Sequence, residues 1–170
     1  MKMKRVTAVI LALFLLISAA GCTAEQDTNL YKSKDGDWSI NIPKEFIKDK
    51  EESDEALKSN TVSFKTENES FLAINEITDE KLEISEEKMK EELETDHYLK
   101  VQRYDTIEIK NIGKAYGAMV TDDATGMAMM YYRLKYKDKA VSFILYRKGA
   151  FLPEQEAKAI AMISTFKGLK

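Results

Sequence analysis

Short runs in which apolar and polar residues alternate recur along most of the chain, and they constrain its fold more than any other feature. In 38–42, Trp38, Ile40 and Ile42 alternate with polar residues, and a period of two predicts a β-strand with one apolar face. Similar runs are separated by short segments of turn-forming residues, which favours antiparallel pairing. The predicted strands are 30–33, 38–42, 61–66, 70–77, 104–109, 114–121, 127–136 and 140–147.

Two stretches carry helix signals instead. Ser85 suits the N-cap of a first helix, and Met89 and Leu93 form its apolar stripe at a spacing of four residues. A second helix begins at Pro153, a residue that suits the first helical position. The strongly charged segment 44–60 has few apolar residues, and it is predicted to be a loop or a loosely held helix. Together these patterns predict an α+β fold with an antiparallel sheet of about six to eight strands and helices packed on it.

The first 22 residues have the pattern of an export signal. Residues 1–5 carry three positive charges, 6–17 are almost wholly apolar, and 18–22 are Ser-Ala-Ala-Gly-Cys. This order defines a secretory signal peptide, and Cys22 at its end resembles a bacterial lipobox. The resemblance implies cleavage after Gly21 and transfer of a diacylglyceryl group, with acyl chains such as palmitate, to the Cys22 thiol. Two acyl chains suffice for durable membrane anchoring.

We therefore expect three segments: a signal peptide at 1–21, a lipidated Cys with a tether at 22–29, and a single globular domain at 30–170. The expected location is the extracytoplasmic face of a bacterial cell membrane, and the Lys-, Glu- and Ile-rich composition favours a Gram-positive source. An ordinary secretory signal without lipid attachment is the alternative. The position of Cys22, which is the only Cys in the chain, argues against that alternative.

Composition excludes several classes of protein. The chain has 170 residues with one Cys and one His, so an internal disulfide framework, a Cys-rich zinc site and a multi-His metal site are ruled out. Removal of 1–21 changes the formal net charge from −3 to −6, because that segment holds three basic and no acidic residues. This acidic total and the export signal argue against nucleic-acid binding.

Charge is unevenly distributed along the processed chain. Residues 22–96 have 10 basic and 22 acidic side chains, a net of −12, whereas 97–170 have 13 and 7, a net of +6. One interpretation is a polarised molecule whose basic face meets lipid headgroups, wall polymers or an acidic partner. We favour the other, a solvated surface rich in Lys and Glu, since halves of a sequence need not be halves in space.

The segment 31–46 resembles the opening of PsbP-like domains. That opening is a short strand, a turn with Gly, an aromatic-Ser-Ile-x-x-Pro strand and a further aromatic residue, matched here by Gly36, 38–43 and Phe46. The strand at 140–147 and the following helix, which ends Ile-Ser-Thr-Phe-Lys at 163–167, also resemble that group. The resemblance implies an α/β/α sandwich, no shared catalytic residues, and a non-catalytic binding or assembly role. The group includes an extrinsic photosystem subunit, a nuclear-transport factor and bacterial lipoproteins, so a specific function does not transfer.

Two neighbouring predicted strands carry a cluster of Met and Tyr side chains. It could line a groove for an apolar ligand or a partner, because Met and Tyr suit adaptable contact surfaces. We favour the other interpretation, a central strand covered on both faces. The candidate binding surface consists of Met127, Met129, Tyr131, Tyr132, Tyr146 and Arg147.

Arg147 with Lys148 is a candidate anion site, because a strand end close to helix amides can hold a phosphate or carboxylate. The acidic pairs Asp35/Asp37 and Asp122/Asp123 lack the ligand spacing of a calcium loop and are interpreted as turns.

The single His, His97, has no nucleophile motif beside it and is interpreted as a surface residue or helix cap. We therefore expect no catalytic residues, cofactor or metal, and no enzyme activity. The favoured function is a membrane-anchored binding or assembly module for an envelope or membrane protein. The alternatives are a carrier of a small apolar ligand and an immunity or exclusion lipoprotein of a mobile element.

Overall fold

A computed structural model describes residues 27–68, 70–79 and 81–169. The predicted signal peptide, Cys22 and most of the predicted tether lie outside the described residues. The strands are β1 (Thr28–Lys32), β2 (Trp38–Pro43), β3 (Ile47–Asp54), β4 (Ser59–Lys65), β5 (Phe71–Thr78), β6 (Leu99–Ile109), β7 (Gly113–Asp122), β8 (Met127–Tyr136), β9 (Lys139–Lys148) and β10 (Lys167–Gly168). The helices are α1 (Glu86–Thr95) and α2 (Pro153–Ser164). In this part of the chain, no helix has the length and apolar character needed to cross a membrane.

The strands form two antiparallel sheets. The large sheet has seven strands in the order β3-β4-β5-β9-β8-β7-β6, and the small sheet has three in the order β1-β2-β10. Every strand pair in both sheets is antiparallel. The predicted α+β class with an antiparallel sheet and packed helices is therefore confirmed.

The large sheet forms the middle layer of a sandwich. On one face, Met162 and Ile163 of α2 and Trp38 of the small sheet join the sheet side chains in the main apolar core. On the other face, Met89 and Leu93 of α1 form a second apolar cluster with side chains of β7 and β8. The predicted stripe of the first helix, Met89 and Leu93, thus supplies its core contacts, and in α2 the buried residues are Ala159, Met162 and Ile163. Burial of such side chains is the main favourable term in folding.

The structure contradicts the expectation that 44–60 is a loop or loosely held helix. It contains the whole of β3, a turn at 55–58 and the start of β4. All eight residues of β3 are exposed, because β3 is an edge strand of the large sheet. Its charged residues therefore face water on both sides and no alternation marks the strand, while the charges protect the open edge from pairing with other chains. The first strand also begins at Thr28, two residues inside the predicted tether.

The packing of the large sheet requires a residue without a side chain at Gly117 of β7. This residue pairs in register with Tyr132 of β8, and a Cβ atom at Gly117 would lie 2.2 Å from the Tyr132 ring. We expect Gly117→Ala to lower the free energy of unfolding by about 1–3 kcal/mol through overpacking. Urea denaturation measures this. In a Tyr132→Ala background the same change should have no destabilising effect, and equal losses in both backgrounds would contradict the steric explanation.

Candidate functional site

A cavity of about 450 Å³ lies at one end of the large sheet. The end of β9, the β4–β5 hairpin, the turn after β2 and the first half of α2 surround it. We call it the sheet-end cavity. Its lining consists of Pro43, Glu45, Phe46, Thr66, Asn68, Ser70, Phe71, Leu145, Tyr146, Arg147, Phe151, Glu154, Gln155, Lys158, Ala159 and Met162.

The cavity wall combines apolar side chains with polar and charged ones in similar numbers. Phe46 and Phe151 contribute rings from two connections of the chain, and Phe71 contributes one from the start of β5. Glu154 and Lys158 are exposed residues in the first two turns of α2. A concave site in which apolar side chains are combined with polar groups is the usual construction of a small-molecule site.

Arg147 is the unusual residue of this cavity. Its Nε and Nη1 atoms are buried and have no hydrogen-bond partner among the described residues. Its guanidinium carbon lies 5.8 Å from the centroid of the Phe151 ring. A buried donor without an acceptor is unfavourable, and a charged one more so. This makes Arg147 the group in the cavity best prepared to receive an oxyanion.

The N-terminal amides of α2 can contribute little to anion binding at Arg147, because few of them are free to donate. The helix starts with Pro153, which has no N–H. The N–H groups of Gln155 and Glu156 both donate to the carbonyl of Leu152, at 2.9 and 3.1 Å. An anion in the cavity would therefore rely on the side chain of Arg147 more than on the helix terminus.

The six residues of the predicted binding surface are not brought together. Met129 and Tyr131 are buried in the cluster under α1, whereas Tyr132 is 2% exposed and points into the main core. Its hydroxyl donates to Asp105 at 3.1 Å, and burial, then the Asp105 charge, raises the pKa of Tyr132.

Of the same six residues, Tyr146 and Arg147 line the sheet-end cavity, and Met127 is half-buried at the start of β8. Burial, followed by the nearby Tyr131 and Asp122, raises the pKa of Tyr146. A binding role for the six residues as a group stays a prediction.

A second group of charged side chains joins the two sheets, and we call it the Lys139 cluster. The Lys139 ammonium, in β9, pairs with Asp35, with Asp37 at 3.3 Å and with Glu76 at 3.2 Å. Glu76 also accepts a hydrogen bond from the Trp38 indole N–H. Burial lowers the pKa of Lys139, but hydrogen bonds to Asp35 and Glu76 outweigh burial and raise it above its usual range.

The other sequence candidates have local roles. Asp35 and Asp37 lie in the β1–β2 turn, where Ser33 Oγ donates to Asp35 at 2.8 Å and accepts from the Asp37 N–H at 2.9 Å. Asp122 accepts from the Ala124 N–H at 2.8 Å in the β7–β8 turn. Both acidic pairs therefore have the predicted turn chemistry. Across the described ranges no three His, Cys, Asp or Glu side chains are grouped to hold a metal ion.

Comparison with known proteins assigns the fold. No family model and no curated protein matches the chain. The solution structure of cyanobacterial PsbP from Synechocystis sp. PCC 6803 matches with a TM-score of 0.57 at 10% identity, covering 88% of this chain and 96% of that one. The Ran-binding protein Mog1p of Saccharomyces cerevisiae matches with a TM-score of 0.54 at 11% identity, covering 86% and 97%. The chain therefore has a PsbP/Mog1-like fold.

Proposed function

We propose that this chain is a non-catalytic binding or assembly module, anchored by lipid at Cys22 to the extracytoplasmic face of a bacterial membrane, where it contacts a membrane or envelope protein. The observation that carries the binding role is the fold shared along most of the chain with Mog1p, a protein named for binding Ran. The anchor rests on the order of charge, apolar run, small residues and Cys in 1–22.

Chain geometry supports a position close to the bilayer. Five peptide units separate Cys22 from Asp27, and even fully extended they span at most about 18 Å. Asp27 is fixed to the body of the protein, because its carboxylate lies 2.6 Å from the Lys44 ammonium and its carbonyl accepts from the Lys44 N–H at 3.0 Å. An anchor at Cys22 would therefore hold the small sheet next to the headgroup region.

Loss of the anchoring thiol is the direct test of this location. We expect Cys22→Ala to abolish lipid attachment and move the protein from the membrane fraction to the medium or the soluble fraction. Fractionation and intact-mass spectrometry measure this, with Thr23→Ala as the matched control that should stay lipidated. An unchanged membrane fraction, with a mass that differs from the native protein only by the Cys-to-Ala substitution, would contradict the anchor.

Binding to an envelope or membrane protein is tested on intact cells. The lipidated protein is cross-linked in place, extracted with detergent and compared with an unrelated domain carried on the same segment 1–29. We expect a reproducible partner enriched with this chain and absent from the control. If the two samples capture the same proteins while the anchor is intact, the binding role is overturned.

A further inference from the structure

We propose that the sheet-end cavity binds a small amphipathic molecule, with an apolar body against its aromatic wall and an oxyanion headgroup, carboxylate or phosphate, held by Arg147. This goes beyond recognition of a protein partner. It also does not depend on the lipid anchor, so its failure would leave the proposed function standing.

The charge balance around Arg147 supports an anionic headgroup. The other two arginines of the described ranges have carboxylate partners: Arg103 lies 2.6 Å from Glu156, and Arg133 lies 2.8 Å from Glu92. Among the described residues Arg147 has no such partner, and two of its nitrogens are buried without an acceptor. A guanidinium is suited to carboxylate and phosphate because its donors are fixed in a plane. The ligand would supply the acceptor that the described residues do not.

One part of the cavity wall suits an apolar body. Phe46, Phe71, Leu145 and Met162 lie in its wall, and none of their side chains carries a hydrogen-bonding N or O atom. The volume, about 450 Å³, falls within the usual range for small-molecule sites. The acids of the lining, Glu45 and Glu154, are both exposed, so they can remain hydrated while a ligand fills the apolar part.

Phe151 is the aromatic neighbour of the guanidinium. Its ring lies beside Arg147, and it belongs to the connection between β9 and α2 rather than to either element. Its side chain can turn about χ1 without breaking a helical or strand hydrogen bond. We infer that ligand binding turns the ring aside, which brings the unpaired N–H groups of Arg147 into contact with the headgroup.

The test uses the full chain in detergent and three soluble probes of one shape: 4-phenylbutanoate, 4-phenylbutyl phosphate and neutral 4-phenylbutanol. Isothermal titration calorimetry measures their affinities for the native protein and two variants. Arg147→Met removes the charge and keeps an apolar side chain. Lys148→Met makes the same charge change at the next, exposed residue, which is outside the cavity lining.

We expect an anionic probe to bind and to lose about 10- to 100-fold in affinity in Arg147→Met, the range for hydrogen bonds to a charged group. Lys148→Met should bind like the native protein. The melting temperature of Arg147→Met should be equal or higher, because Met can still pack against Phe151 and two buried, unpaired donors are removed. If that variant fails to fold, Arg147→Lys serves instead, and it should bind more weakly while still preferring an anionic probe.

Three outcomes would overturn the proposal: no probe binds at millimolar concentration, phenylbutanol binds as tightly as the anionic probes, or Arg147→Met retains full affinity. Tighter binding of the carboxylate identifies an organic acid as the ligand class. Tighter binding of the phosphate identifies a phosphate ester, such as a lipid headgroup. If inorganic phosphate binds with the same affinity as 4-phenylbutyl phosphate, measured by competition, the apolar part of the site is contradicted.

Discussion

Replacement of Lys139 by Met is expected to lower the free energy of unfolding by about 3–5 kcal/mol, the usual effect of removing one partner from a buried ion pair. The Lys139 side chain is 7% exposed, so its ammonium depends on protein groups rather than on water. The variant loses the attraction to Asp35, Asp37 and Glu76. It also leaves three carboxylates close together with no cation between them.

The position of the Lys139 cluster explains why the loss should affect the whole domain. Asp35 and Asp37 belong to the turn between the first two strands of the small sheet, whereas Glu76 and Lys139 lie on paired strands of the large sheet. The ammonium therefore forms ion pairs that connect the two sheets. Glu76 connects the cluster to the core, because it also accepts a hydrogen bond from the indole N–H of Trp38.

Urea denaturation of Lys139→Met measures the effect without screening the ion pairs, with Lys137→Met as the matched control. Lys137 is 43% exposed and lies 3.9 Å from Asp37, and exposed ion pairs contribute about 0–1 kcal/mol. Similar losses in the two variants would show that the burial of Lys139 has no special role. Lys139→Arg keeps the charge and should recover part of the stability.

The Lys139 cluster also predicts how stability depends on acid. Burial raises the pKa of Asp35, but hydrogen bonds from Lys139, Ser33 and the Asp37 N–H outweigh it and lower the pKa to about 2, from 3.8 for a free side chain. A carboxyl with a lowered folded-state pKa stabilises the protein above its unfolded pKa, and this contribution is lost as pH falls from about 4 to 2. Asp35→Asn should therefore flatten the acid limb of the stability curve over that interval.

Near-continuous apolar runs were sufficient to predict the central strands. In 127–136 and 140–147 the strand signal is strong, because both faces of these strands are covered and turn residues bound them. Edge strand β3 was missed for the opposite reason. Its stability comes from backbone pairing with β4 and from the turn at 55–58, and neither leaves an apolar pattern in an exposed, charged segment.

The candidate site was predicted only in part. Arg147 was recognised as a possible anion ligand because it ends a strand before a helix, and it lines the sheet-end cavity. The walls around it come from segments near 45, 70 and 155, and their meeting depends on the strand order of the large sheet. Likewise, the Lys139 cluster joins residues 63 and 104 positions apart. Such separations leave no local signal in a single sequence.

Replacement of Phe166 by Ala is expected to lower the free energy of unfolding by about 3–5 kcal/mol, the usual range for a buried Phe. Phe166 is 1% exposed and immediately follows α2 and its C-cap Thr165. Its ring stacks on Trp38 of the small sheet at 5.2 Å between centroids, and it meets Phe143 of the large sheet edge-on at 6.1 Å. One side chain therefore joins the helix end and both sheets.

This arrangement makes the Phe166 prediction specific to the ring rather than to apolar character. Urea denaturation should show that Phe166→Leu recovers only part of the loss, because Leu fills volume but cannot stack on Trp38. Leu169→Ala, at an exposed residue three positions later, is the control and should have little effect. A double-mutant cycle with Trp38→Leu isolates the stacking contribution, expected at about 0.5–1.5 kcal/mol. Strictly additive losses in that cycle would contradict the stacking contribution and show that Phe166 stabilises the domain by filling space in the core that both sheets share.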